Sequence, residues 1–452
     1  MKKSMRIGSL AAAVCLILGA WAVTFGLSEC KKAEDSEATL SSSLAVQTVR
    51  SDAAVDARST TTTTASATGT AIFQKSDLFT DRDLKQEADL SEAVTLTVSD
   101  GQDMEITQAG VYVLTGTAKD ASVLVAADKE DKVQLVLDGL TISNSSAPAI
   151  YVKSADKVFV TTASASSLSV TGTFAADGDT NLDGVIFSKS DLILNGTADL
   201  AIDSTKNGVV GKDDLKITGG TYTISAKVKA VEANDSIRIA DGTLKLTAGT
   251  DGLHAENDDD SSKGYIYIGG GTVTILAGDD GIHATTVAQV DDGTVSVTAS
   301  EGIEATYVQL NGGTIAIDSR DDGINAAKKS SAYRATVEIN GGDITVTMAS
   351  GDTDGVDSNG DIIVNGGTIR VTGNSTFDCD GSAQYNGGTI IANGQQIDYI
   401  PNQMFGGRGG QGGFDGWGGF GESGNNPGDG SSGAYGGQGG FGGRGGRGGR
   451  WH

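Results

Sequence analysis

The chain has 452 residues, a formal net charge of −25, 66 glycines and only 3 prolines. A balance this acidic argues against nucleic acid and anionic membrane surfaces as partners, and it favours cations. With 3 cysteines in the whole chain, no disulfide framework is implied and soft-metal centres are poorly served.

In chain order, Met1–Glu29 reads as a bacterial export signal, with Lys2, Lys3 and Arg6 ahead of an apolar run from about Leu10 to Leu27. The stretch Leu27-Ser28-Glu29-Cys30 resembles a bacterial lipoprotein processing site, so Cys30 is expected to carry lipid; Glu29 departs from the small residue usual there. A plain signal peptide and an uncleaved anchor are the alternatives. Residues 30–71 are rich in Ser, Thr and Ala and are expected to form a flexible tether. Residues 72–182 are expected to be an N-terminal β region capping the repeats that follow. The repeats occupy 183–404, and 405–452 is a Gly/Arg-rich tail of low complexity, expected to be disordered. RGG-like runs can contact RNA, but export removes that partner.

The repeats carry the fold. Asp280-Gly281-Ile282-His283-Ala284 returns as Glu301-Gly302-Ile303-Glu304-Ala305 and as Asp322-Gly323-Ile324-Asn325-Ala326, at a spacing of 21 residues. The frame extends upstream through Asp251-Gly252 to Asp183-Gly184, and downstream through Asp354-Gly355 to Asp380-Gly381. Between copies come two alternating strands around an Asn-Gly-Gly turn, at Asn311, Asn340, Asn365 and Asn386. A fixed period of this length signals stacked units. Three short strands and three corners per copy predict an all-β chain, a parallel β-helix solenoid with coils of about 21 residues. A seven-strand sandwich is the alternative, and the fixed frame argues against it. Aliphatics at 282, 303 and 324 and alanines at 284, 305 and 326 are expected inside. Arg238, Tyr267, Gln289, Gln309 and Glu338 are expected on a second, outward face.

Phe79–Gly101, Asp131–Val160, Gly208–Ala226 and the acid-Gly-aliphatic-polar-Ala frame resemble a family of bacterial carbohydrate-binding β-helix proteins. The resemblance runs from about Ile72 to Gln403. It implies an exported right-handed parallel β-helix, similar to calcium-dependent pectate lyases, that binds calcium and plant-type polysaccharides such as cellulose and pectic chains. After Asn386-Gly387-Gly388 the coil pattern stops, which puts any site built from the last coil in doubt.

The residues themselves point to a hard cation. Acids repeated at one coil position form a ladder at the strand spacing of about 4.8 Å. Neighbouring carboxylates then repel by roughly 3 kcal/mol at an effective dielectric near 20. Protonation, splaying into water or a bridging cation relieves this. Calcium takes six to eight oxygen ligands in flexible geometry, and acid-rich corners offer them. The expected ligands are the doublets Asp279-Asp280 and Asp321-Asp322, Glu301, and the cluster Asp352, Asp354 and Asp357, with Asp378 as acidic company. Asp-Gly is also an ordinary turn signal, so any single pair can be purely structural. The outward residues His254, His283, Glu304 and Asn325 are expected to meet the glycan, the two histidines as an exposed stacked pair. Tyr265, Tyr267, Tyr307 and Tyr333 either pack on strands or offer the sugar-stacking surface that the Trp-free body lacks.

The expected function is thus a monomeric polysaccharide-binding protein, exported and membrane-anchored through lipid alone, using Ca2+ and no nucleic acid. Two alternatives differ in class. A calcium-dependent polysaccharide lyase needs a Lys or Arg base, and the acidic face supplies few. A surface adhesin would bind no specific glycan.

Overall fold

The computed structural model describes residues 69–351 and 353–401. Alternating Thr/Val/Ile segments suit pleated, half-buried surfaces, and nearly all of them form short parallel strands. Among the described residues, helix is confined to one turn, Lys75–Leu78.

The strands stand in three columns, and within each column a strand pairs in parallel with its counterpart one repeat later. One column is a 12-stranded sheet. It includes Val231–Ala233, Leu253–Ala255, Asp280–Ala284, Glu301–Ala305, Ile324–Ala326, Asp354–Ser358 and Ser375–Cys379. The other two columns join into a 22-stranded sheet, because Lys132–Asn144, Tyr265–Leu276 and Val287–Ala299 run through a corner and belong to both. The last pair, Thr389–Ala392 with Gln395–Ile397, is antiparallel.

Register places the expected core. Leu253, Ile282, Ile303 and Ile324 align, followed by Val356 and Phe377, and all are buried. Ala284, Ala305 and Ala326 are buried beside them. The glycine of each acid-Gly pair is there for close approach. A Cβ on Gly281 would lie 2.2 Å from Val297 and 2.6 Å from the Gly302 carbonyl oxygen; on Gly302 it would lie 2.3 Å from that of Gly323. At the opposite corner the Asn-Gly-Gly turns need left-handed backbone, with Gly313 at φ +80° and Gly342 at φ +91°. Their asparagines form an amide ladder: Asn340 donates to Asn311 at 2.8 Å, Asn365 to Asn340 at 2.7 Å and Asn386 to Asn365 at 2.8 Å.

The segment from Gly69 to about Glu92 is a strap lying across the strands. Gln289 accepts from the Phe73 amide at 2.8 Å and donates to its carbonyl at 3.0 Å. Gln309 does the same one repeat on, accepting from Ile72 at 2.9 Å and donating to Thr70 at 3.1 Å. Farther along, Asp83 meets Lys216 at 2.9 Å and Lys157 at 3.5 Å, and Gln86 donates to the Thr218 carbonyl at 2.9 Å. The column Arg238, Tyr267, Gln289, Gln309 and Glu338 points away from the core as expected. It is nevertheless not a free surface: Gln289 is 0% exposed, because the strap seals it.

Candidate functional site

The outward residues of the 12-stranded sheet form one register column: Tyr151, Phe187, Val210, Glu232, His254, His283, Glu304, Asn325, Asp357 and Asp378. The column changes character along the stack. Its first part is apolar, and Leu182 packs on Tyr151, Phe187 and Val210 from the loop above.

The middle is charged but internally balanced. His254 and His283 stack with ring centroids 4.6 Å apart. His254 lies 2.9 Å from Asp251 and 3.1 Å from Glu256. His283 lies 2.5 Å from Asp280 and 3.1 Å from Glu304, and Lys329 reaches Glu304 at 2.8 Å. Burial opposes the charge on His283, but its bonds to Asp280 and Glu304 outweigh that and push it up to about 9. Glu304 falls below the usual carboxylate range: burial raises it, and the His283 and Lys329 contacts more than offset the rise. Neither histidine is exposed, contrary to the expected exposed ladder: His254 is buried, at 6% exposed, and His283 is half-buried. Stacking and the carboxylates on either side explain this.

The last part is acidic and has no cation of its own. Carboxylate oxygens of Asp354, Asp357 and Asp378 lie within 4.8 Å of one another. Burial, then the charges of Asp322, Asp354 and Asp378, push Asp357 up to about 7. Burial and the charges of Glu304 and Asp280 raise Glu301 to about 7, against the pull of an Asn325 hydrogen bond. Burial also raises Asp322 to about 6 and lifts Asp378 above its usual value. Among the described residues no basic side chain pairs with any of these five. Two buried oxygens, Asn325 Oδ1 and Asp378 Oδ1, accept no hydrogen bond.

Of the expected ligands, Asp279 and Asp280 come together with Asp251, but Asp280 is occupied by His283. Glu301 and Asp322 stand beside the last part of the column, and Asp321 is exposed. Asp354 and Asp357 meet Asp378, which the sequence placed only as company. Asp352 and Cys30 lie outside the described residues. Sequence reasoning missed Lys329 as the partner of Glu304 and Glu256 as the partner of His254; Lys329 comes from an irregular insert with no repeat to align it, and Glu256 follows the frame at a position where the neighbouring copies carry no acid. The tyrosines divide: Tyr265 and Tyr267 are buried under the strap, Tyr265 stacked on Phe73 at 4.4 Å, while Tyr307 and Tyr333 pair edge-on and stay partly exposed.

The donor set here is carboxylate and amide oxygen with unsatisfied acceptors, which is hard-cation chemistry. Two protein families of chemistry are therefore open to the face: holding an oxygen-bound cation, and presenting it to an extended partner.

Comparison with known proteins bears on the second. A family model described as carbohydrate-binding domain-containing protein matches residues 100–352 and 301–398. A carbohydrate-binding domain-containing protein from Acetivibrio thermocellus is 35% identical over 136 residues, 29% of this chain and 47% of that one. The chain thus spans about half the length of this curated relative. A solved polysaccharide lyase-like protein from C. thermocellum, a gadolinium derivative, aligns with a TM-score of 0.39 and 22% identity, over 65% of this chain and 98% of that one.

Proposed function

Because the chain belongs to the carbohydrate-binding domain-containing protein family, we propose that it binds an extended polysaccharide, cellulose- or pectate-like, along the outward face of the 12-stranded sheet. We read the three columns as the walls of a right-handed parallel β-helix. Such a rod offers similar groups about every 4.8 Å, which suits a polymer better than a small sugar.

The cation in this reading is calcium, held by Asp354, Asp357 and Asp378, with Asn325, Asp322 and Glu301 adjoining. The observation that carries it is the acid cluster at the end of the column, which no basic side chain meets among the described residues and at which Asp357 and Glu301 are both pushed up to about 7. Bound calcium supplies positive charge where a sugar carboxylate would otherwise meet only like charge. These acids hold the ion, and the neighbouring Glu304–His283 contacts fix the backbone that presents them. The test is binding of pectate chains in millimolar calcium and in EDTA. Calcium-dependent binding supports the reading; equal binding in both removes calcium from it. Saturation at 100 times the dissociation constant also stabilises a single site by about 2.7 kcal/mol, so the melting temperature rises with calcium.

Binding is favoured over lyase chemistry because Lys329, the lysine that reaches the column beside the acidic cluster, is held by Glu304 at 2.8 Å. Accumulation of unsaturated, ultraviolet-absorbing products would reverse that preference. Export and a lipid on Cys30 complete the proposal. Replacing Cys30 with Ala should release the protein from the membrane fraction.

A further inference from the structure

At the N-terminal end of the same sheet the corner is basic. Val152, Ser188 and Gly211 are paired in register on three successive strands, and the residue after each is a lysine: Lys153, Lys189 and Lys212. Adjacent strands stand about 4.8 Å apart, so these side chains leave one edge of the stack in a row. Beside them is a cavity of about 470 Å³ lined by Lys129, Lys153, Ser154, Lys189, Ser190 and Asp213, among others.

The partners of these lysines decide what the cavity can take. Lys153 meets Asp177 at 3.1 Å and lies 5.2 Å from the Tyr151 ring. Lys212 meets Glu232 at 3.5 Å. Lys189 donates to Thr180 Oγ1 at 2.6 Å, and its charge reaches Asp177, which it helps the Lys153 hydrogen bond to lower; neither Lys189 nor Lys129 makes an ion pair among the described residues. Two of the lysines lining one cavity therefore have no ion-pair partner of their own among the described residues. The carboxylates there do not supply one: Asp156 is held by Lys132 at 2.7 Å. Asp213 shares a hydrogen bond with Asp235, and burial, that bond and the charge of Asp191 raise it to about 6. In a chain of net charge −25, cations without ion-pair partners gathered at a cavity mark where an anionic partner can land.

We propose that this lysine corner is a metal-independent subsite for an acidic polysaccharide, with Lys129 and Lys189 holding a sugar carboxylate directly. The inference rests on the polysaccharide reading above but not on calcium. It divides the sheet into two ends with different recognition chemistry, direct ammonium–carboxylate contact at one and cation-bridged contact at the other. A polymer long enough to reach both is thereby oriented along the stack. Individual exposed ion pairs contribute little, so the subsite depends on a repeating polyanion that engages several lysines at once.

The test uses the full chain and oligogalacturonate, titrated in EDTA at low and high salt. The parent is expected to bind at low salt and to lose affinity at high salt. The Lys129→Ala/Lys189→Ala double variant should bind five- to tenfold more weakly, and Lys129→Arg/Lys189→Arg should restore binding. An unchanged thermal transition in the Ala variant confirms that folding is intact. Inorganic phosphate and a neutral cello-oligosaccharide separate the ligand classes: competition by phosphate with no effect of the neutral oligomer supports an anion subsite. The proposal is overturned if the parent does not bind in EDTA, if the double variant binds like the parent, or if the neutral oligomer binds equally. The parent titrated with calcium tests the earlier reading by itself, so either can fall while the other stands.

Discussion

In the proposed calcium site, Asp357 would serve binding at a cost to the stability of the fold. Its carboxyl is raised to about 7 by burial and by Asp322, Asp354 and Asp378. A raised acid destabilises the folded state once ionised, so the penalty grows as pH rises from the ordinary value of 3.8 and is fully present above about 7. Asp357→Asn keeps the shape and removes the charge. In EDTA at pH 8 this variant should melt above the parent by a few degrees, on the order of 1 kcal/mol after solvent screening. In calcium its gain should be much smaller than the parent's. Equal calcium gains in both proteins would move the ion away from Asp357. The acids of this site were legible because each recurs in the 21-residue frame. Their counter-ion was not: Lys329 sits in an insert, and only the folded register brings it to Glu304.

The strands were equally legible, from period-two alternation and from the turn glycines, and the interior aliphatics fell where the period put them. The strap was not. It has no period, and its contacts are single side chains reaching far along the chain, such as Ile72 to Gln309 across 237 residues. Gln289 looks like an ordinary exposed strand residue in sequence, yet both ends of its amide are satisfied by Phe73 backbone. Gln289→Ala should therefore cost about 1–3 kcal/mol, the penalty for stranding buried polar groups, read as a lower melting temperature. Asp83 fixes the other end of the strap. Burial opposes its charge, but hydrogen bonds from Lys216 and the Thr80 amide and the charges of Lys216 and Lys157 outweigh it, so its carboxyl lies below the ordinary 3.8. A depressed acid contributes stability above its unfolded value and loses it as pH falls through the folded one. Hydrogen exchange at the Ile72 and Phe73 amides should thus accelerate, relative to the core strands, only below about pH 4. Asp83→Asn should show the accelerated exchange already at neutral pH; parent-like protection in that variant would show that the ion pair does not hold the strap.

At the scale of the molecule, stacked repeats draw their stability from neighbours, so a local charge imbalance is felt along the stack. Glu301 and Asp357 at about 7 and Asp322 at about 6 all hold protons in the fold that the unfolded chain has lost by pH 5. Between pH 5 and 7 the folded state therefore binds more protons than the unfolded one, and stability must fall as pH rises. His283 extends the same trend: its folded value of about 9 exceeds the ordinary 6.5, so its contribution is complete below 6.5 and is lost as pH rises through 9. The two effects share a sign and add. In EDTA the melting temperature should be highest near pH 5 and decline steadily to pH 9, the reverse of a protein limited by salt-bridged carboxylates. Calcium in the proposed site would compete with protons for the first group but not for His283. Adding it should flatten the decline between pH 5 and 7 and leave the alkaline limb in place. A melting temperature independent of pH in EDTA would mean that the acids of the column are fully solvated, and a uniform upward shift with calcium would place the ion outside this column.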